Sequence, residues 1–522
     1  MSVAILLLAL AAFSLSWYTL HFTRSKIVAK RLGQDPGILN FKLAASKKDF
    51  VGNGHIIVRE GYKQSKDEKY VVQTQDMERL ILPPKYLSEL RMLPETKLSH
   101  SVALVERHLG YYSGVDIILQ DKQHSDVCRL QLTQNLRQFC LQETGMAEEL
   151  AYSMEKFLST ASTSTTEGLL PLPVLKGVLY LIYLFLASNQ DISRVVTYPY
   201  IYSMVLGVSS RVFVGVALAR DSRWLDVVSS YLATVVGTAN ALRPWPRGLR
   251  EIVRPFLAPK RKMDTILADA LKILAPAIEE RQKMHGNQSD LLGFLVQTSE
   301  VVDPMSICLK LLVLISAALH TSTMAAVHTI YDLCERPEYL KDLKTEVRSA
   351  LKERGGAWEF QTMKDLPLLD SFMKESMRCN QPDALAFNRI AMTPIKLSDG
   401  FLIPKGTFIN MAAEGMSEDP EYYENPKRFD GYRFLNKPNF KETQPLNEFT
   451  GIEPGNLAWG SGRLTCPGRW YASAMNKLIV GSLLADFDIS FPDGQNSRPK
   501  NLYSNGGVMP DPTQQILLRK MS

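Results

Sequence analysis

The stretch "AWGSGRLTCPGRWYA", residues 458–472, sets one cysteine among glycines and arginines and follows it with Pro-Gly. Gly460, Gly462 and Gly468 permit backbone conformations that other residues resist, and they let a bulky ligand approach the chain. Arg463 supplies a fixed positive charge suited to a carboxylate. Pro467 fixes φ directly after Cys466, and the pattern predicts a helix starting near Gly468. A sulfur at a helix N-terminus is stabilised as thiolate by backbone N–H groups and by the dipole. The loop thus favours an ionised, shielded sulfur, suited to a metal ligand or to a nucleophile. No His-Asn or His-Asp partner motif accompanies it. The remaining cysteines, Cys128, Cys140, Cys308, Cys334 and Cys379, are scattered without a C-x-x-C pair and read as buried, reduced thiols.

The chain around this loop has 522 residues, 45% of them hydrophobic and 22% charged, ordinary values for a protein with a large core. Its net charge of +6 is spread without a Lys/Arg block. That argues against nucleic acid and leaves an acidic partner protein or anionic lipid open. Residues 2–22, "SVAILLLALAAFSLSWYTLHF", carry no charge, and Arg24, Lys26, Lys30 and Arg31 follow. About 20 apolar residues match a bilayer core, so this run reads as a transmembrane anchor ahead of a body at 23–522. A cleaved signal peptide fits less well, because its charges would precede the apolar run. A second apolar run, 168–188, has Pro171, Pro173 and Lys176 crowded into its first half. It reads as an insertion: a membrane segment, a loop, or the translation of a retained intron.

From about 97 to 350 apolar residues recur at three- and four-residue spacing, which predicts helices, among them a long one from about Asp303 to Cys334. Strand-like pieces are expected at "HIIVRE" and "KYVVQT", and again over 385–410 around the turns Asp399-Gly400 and Pro404-Lys405-Gly406. A β-like tail closes the chain. The expected fold class is mainly α with small β-sheets.

The cysteine loop resembles the signature Phe-x-x-Gly-x-Arg-x-Cys-x-Gly of the cytochrome P450 family, with Trp459, Gly462, Arg463, Cys466 and Gly468 read onto it and tryptophan in the place of phenylalanine. The resemblance extends to the other family landmarks in order. "AALHTS", 317–322, is similar to the distal motif of two small residues, an acid and a threonine, with His320 at the acid's place before Thr321. Glu375 and Arg378 match the family's Glu-x-x-Arg, and "NPKRFDGYRF" supplies Arg433 as third member of that network. Arg389 stands where the family commonly contacts a haem propionate. "HSDVCRLQLTQNL" resembles the helix that also contacts propionates, with His124 or Arg129 as candidates and the usual tryptophan missing. "SSRVFVG" and "RPWPRGLR" look like fungal members of secondary metabolism.

The resemblance implies a P450 fold binding haem b, its iron held axially by the Cys466 thiolate, which favours O–O cleavage. Ala317 and Ala318 would leave room over the iron. Thr321 would hydrogen-bond oxygen or a proton-carrying water, and His320 would relay protons. It implies a monooxygenase on a lipophilic substrate, terpenoid or a related fungal secondary metabolite. Electrons would come from NADPH through a separate reductase, with cytochrome b5 as an optional second donor, since no flavin or dinucleotide fingerprint is present. The implied location is the endoplasmic reticulum membrane, with a single N-terminal span and the catalytic body in the cytosol. The alternative enzyme is a haem-thiolate isomerase or dehydratase that needs no reductase.

Overall fold

The computed structural model describes residues 38–39, 49–75, 77–140, 145–163, 192–284, 289–435 and 446–521. The anchor expected at 2–22 and the apolar run at 168–188 lie outside the described residues. Among those residues ten helices have nine or more residues. They are α1 (Asp49–Gln64), α2 (His100–His108), α3 (Met146–Thr163), α4 (Thr197–Val214), α5 (Ser222–Leu242), α6 (Ala258–Lys283), α7 (Pro304–Glu335), α8 (Leu340–Glu353), α9 (Pro367–Cys379) and α10 (Arg469–Asp486). The strands are short: β1 (Ile38–Leu39), β2 (Lys69–Gln73), β3 (Glu78–Ile81), β4 (Leu98–Ser99), β5 (Ile192–Val196), β6 (Leu385–Ala391), β7 (Ile395–Lys396), β8 (Leu402–Ile403), β9 (Phe408–Ala412), β10 (Phe487–Ser490), β11 (Leu502–Ser504), β12 (Gly507–Met509) and β13 (Gln515–Lys520).

The helices enclose one large apolar core, to which α4, α5, α6, α7 and α10 contribute. A smaller core lies between α1 and the six-stranded sheet of order β1-β2-β3-β9-β6-β4. A three-stranded sheet, β10-β13-β5, ties the C-terminal tail to the strand preceding α4. The mainly helical class with small sheets is what the periodicity implies. One local expectation is overturned: "HIIVRE" is not a strand but the middle of α1. Its six residues show no period by themselves. Over the whole helix, Phe50, Gly54, Ile57, Val58, Gly61 and Tyr62 are buried at three- and four-residue intervals, which is the helical repeat.

α7 spans 32 residues, about 48 Å at helical rise, and runs through the core. Asp303 starts it, its carboxylate accepting from the N–H groups of Met305 (3.2 Å) and Ser306 (3.0 Å), with Pro304 at the first position. Most of its middle is buried, yet Ala317 and Thr321, one turn apart, are exposed to open space.

α9 is unusual because its buried face is polar: Asp370, Ser371, Lys374, Glu375 and Arg378 are all buried. Each holds a piece of the irregular chain that leads to the cysteine loop. Ser371 Oγ donates to the carbonyl of Gly431 (2.7 Å), and Lys374 Nζ donates to those of Leu446 and Gly451. Asp370 accepts from Phe449 N–H (3.1 Å) and pairs with Lys477 of α10 at 2.5 Å. Both members of that pair are buried, so removing one strands the other charge. Lys477→Met is therefore expected to cost about 3–5 kcal/mol in denaturant unfolding, and the joint replacement of Asp370 and Lys477 by apolar residues less than that.

Candidate active site

The cysteine loop turns through two left-handed glycines, Gly460 (φ +76°) and Gly462 (φ +71°). At Gly462 a Cβ would lie 2.2 Å from the carbonyl oxygen of Arg91, so a side chain is excluded twice over. The return path places Cys466 N–H on the carbonyl of Trp459 at 2.8 Å, and Thr465 Oγ1 donates to Gly462 O (2.8 Å). Trp459 is fixed in turn: its Nε1–H donates to Phe449 O (2.7 Å), and its ring meets Phe449 edge-on at 5.3 Å. Asp370, Phe449, Trp459 and Cys466 therefore form a continuous chain of contacts from α9 to the sulfur.

Gly468 caps α10, and a Cβ built there meets nothing within 4 Å, which leaves the side of the loop beside the sulfur open. Burial pushes the Cys466 thiol up, while the Gly468 N–H, the charge of Arg469 and the Arg469 N–H pull it back. Counted back from Cys466, the signature's arginine falls on Leu464. Arg463 stands one residue earlier, its side chain exposed and its backbone N–H on Arg91 O (3.2 Å). The assignment of Arg463 to that slot is thus corrected.

Behind the loop, Glu375 is fully buried between two guanidinium groups. Arg378 reaches it in a two-point grip (2.7 and 2.8 Å), and Arg433 Nε adds a third bond at 2.9 Å. Asp430 N–H donates to the same carboxylate (3.0 Å). The free arms of the arginines bind backbone: Arg378 the carbonyl of Ser417, Arg433 those of Glu424 and Arg428.

The candidate carboxylate-binding residues separate. Arg389, on β6, is buried; its Nη1 lies 3.0 Å from His100 Nδ1, and its buried Nη2 has no partner among the described residues. Burial holds this guanidinium down at about 10, and beside it burial and the Arg389 charge hold His100 at about 4. His100, at the start of α2, escaped the sequence reading because 289 residues separate it from Arg389. His124 Nδ1 is likewise buried without a partner among the described residues, and burial lowers the basicity of the ring. Arg129 goes elsewhere: it is 67% exposed and pairs with Asp126 one turn back. The segment Val127–Leu132 is wound as a π-helix, with Thr133 N–H on Cys128 O five residues back. Cys128 is the residue of this segment turned to the loop. Its thiol is an electrostatic neighbour of Cys466, and Thr133 Oγ1 reaches Pro467 O (3.4 Å).

On α7, Thr321 Oγ1 donates to Ala317 O (2.8 Å), its hydroxyl standing in the exposed turn. His320 is half-buried, its Nδ1 3.0 Å from Tyr198 Oη on α4, and burial lowers its basicity. The haem implied by the resemblance fits these residues. Cys466 would ligate the iron, Arg389 would offer its unmet donor to a propionate, and Gly468 would leave that side of the loop open to the ring.

The cytochrome P450 family model matches residues 95–518. A cytochrome P450 monooxygenase of Emericella nidulans is 32% identical over 472 residues, covering 89% of this chain and 82% of that protein. An ent-kaurene oxidase of Gibberella fujikuroi is 30% identical, covering 91% and 89%. Among solved structures, the heme domain of cytochrome P450DA superposes with a TM-score of 0.66 at 16% identity, over 90% of this chain and 94% of that one.

Two substitutions test the site. Arg433→Ala leaves Glu375 and Arg378 buried with an incomplete set of bonds, and is expected to cost about 3–5 kcal/mol, read as a lowered denaturation midpoint. Arg389→Met removes a charge-assisted donor worth about 1.5–3 kcal/mol. Haem transfer to apomyoglobin should then run about ten- to a hundred-fold further toward the acceptor.

Proposed function

From the chain's membership of the cytochrome P450 family, we propose that it is a membrane-anchored monooxygenase of fungal secondary metabolism that oxidises a terpenoid-class substrate, with electrons from NADPH through a separate reductase. The chain is an oxygen-incorporating oxidoreductase of the P450 family. One observation carries the mechanism. A cysteine pinned by its own backbone N–H stands at the start of α10, and α10 shares one apolar core with α7, which carries the exposed Ala317–Thr321 turn.

Bound haem supplies oxygen activation, and a thiolate ligand favours cleavage of the O–O bond. The residues of the chain do the rest. Cys466 presents sulfur, its position set by Trp459 O; burial raises its thiol pKa, and the Gly468 N–H, the Arg469 charge and the Arg469 N–H offset part of that rise. Ala317 offers a small surface where a larger residue would fill the space, and Thr321 holds a hydroxyl there for a proton-carrying water.

The substrate class rests on the ent-kaurene oxidases, proteins of about this similarity whose names specify a diterpene hydrocarbon. The apolar run at 2–22 supports an endoplasmic reticulum anchor, which would place the body where a lipophilic substrate partitions. The experiment is full-length chain in microsomes with a fungal reductase, a tetracyclic diterpene hydrocarbon and ¹⁸O₂. Product carrying one ¹⁸O per oxidation, strictly dependent on NADPH, is the expected result. Turnover of an oxygenated lipid without NADPH would instead identify the isomerase or dehydratase.

A further inference from the structure

His320 stands where a carboxylate is the familiar residue, and the structure gives it a specific companion. Tyr198 Oη on α4 lies 3.0 Å from its Nδ1, while no described residue bonds its Nε2. The ring nitrogen that is hydrogen-bonded decides which nitrogen carries the proton on the other side. One turn along α4, Tyr202 is an electrostatic neighbour of Tyr198, and Tyr202 Oη donates to Ser229 Oγ at 3.1 Å. Ser229 is half-buried on α5. The Tyr202–Ser229 pair thus lies one turn along α4 from the Tyr198–His320 pair, and His320 is next to Thr321.

We propose that Tyr198 is the positioning residue of His320, donating its O–H to Nδ1 and so holding the imidazole's own proton on Nε2, where a water beside Thr321 would meet it. This rests on the monooxygenase reading given above. Tyr198 keeps its proton, any proton that Nε2 gives to that water returns to it from solvent through the same water, and no electrons move. Burial supports the arrangement, since it keeps the phenol protonated and the imidazole neutral.

The test is Tyr198→Phe in the full-length, haem-loaded chain with reductase, with folding checked by an unchanged melting midpoint. The hydroxyl's loss is expected to raise the share of NADPH electrons released as hydrogen peroxide several-fold and to enlarge the solvent isotope effect on product formation. A second readout needs no turnover: hydrogen–deuterium exchange at the His320 ring carbon, followed by mass spectrometry across pH, should show a displaced protonation curve. In His320→Asp, where no imidazole remains to be positioned, adding Tyr198→Phe should change the peroxide share less than it does in wild type. Superimposable exchange curves, an unchanged isotope effect, or full additivity of the two substitutions would overturn the proposal. If wild type shows no NADPH-dependent oxidation, the enzymatic reading fails instead, and the exchange curves still decide the Tyr198–His320 pair. If Tyr198→Phe melts early, Tyr198→His, which retains a ring N–H, replaces it; restored coupling supports the positioning role, and coupling as poor as in a His320→Ala chain contradicts it.

Discussion

A buried carboxylate governs this structure. Glu375 has no contact with water, and an unpaired charge there would be prohibitive. Its bonds to Arg378, Arg433 and Asp430 N–H satisfy it only when α9 and the 424–433 turn take one relative position. Because the arginines spend their remaining donors on the carbonyls of Ser417, Glu424 and Arg428, the whole irregular segment is registered against α9. From there Lys374 and Asp370 carry the register on to Gly451 and Phe449, and Phe449 hands it to Trp459. The sulfur of Cys466 is the end of that sequence. A ligand atom is thereby positioned by polar contacts that have few alternatives, instead of by apolar packing, which tolerates small slips.

Much of this was legible where the signal is local. Helical spacing marks α7, and Asp303-Pro304 marks its start; the glycines around Cys466 mark a turn that only they can make. Long-range closure was legible only through resemblance: Glu375 and Arg378 are neighbours by spacing, but Arg433 reaches them across 58 residues. Short windows misled. "HIIVRE" lacks the length to show a helical repeat, and a one-residue slip put Arg463 in a slot that belongs to Leu464. The π-helical turn at Val127–Leu132 was invisible in the sequence. Within it Arg129 is exposed, while Cys128 is buried and close enough to Cys466 to feel its charge.

The site therefore departs from a plain reading of its motifs on the side that meets acidic groups. With leucine at 464 and Arg129 in solvent, the buried charge available is Arg389, flanked by His100 and left with an unmet donor. A buried guanidinium kept half-satisfied is costly unless an anion completes it. A haem propionate would be such an anion. Trp459 adds a second local change: its indole N–H is spent on Phe449 O, so the larger ring stiffens the approach to the sulfur without offering it a hydrogen bond.

The central claim is that Cys466 is the thiolate ligand of a haem iron, and the carbon monoxide difference spectrum of the reduced protein tests it most directly. The account predicts the strongly red-shifted band of a thiolate-ligated haem in the wild-type chain, and its loss in Cys466→Ala. A folded wild-type chain without that band, or a Cys466→Ala chain that keeps it, would contradict the account.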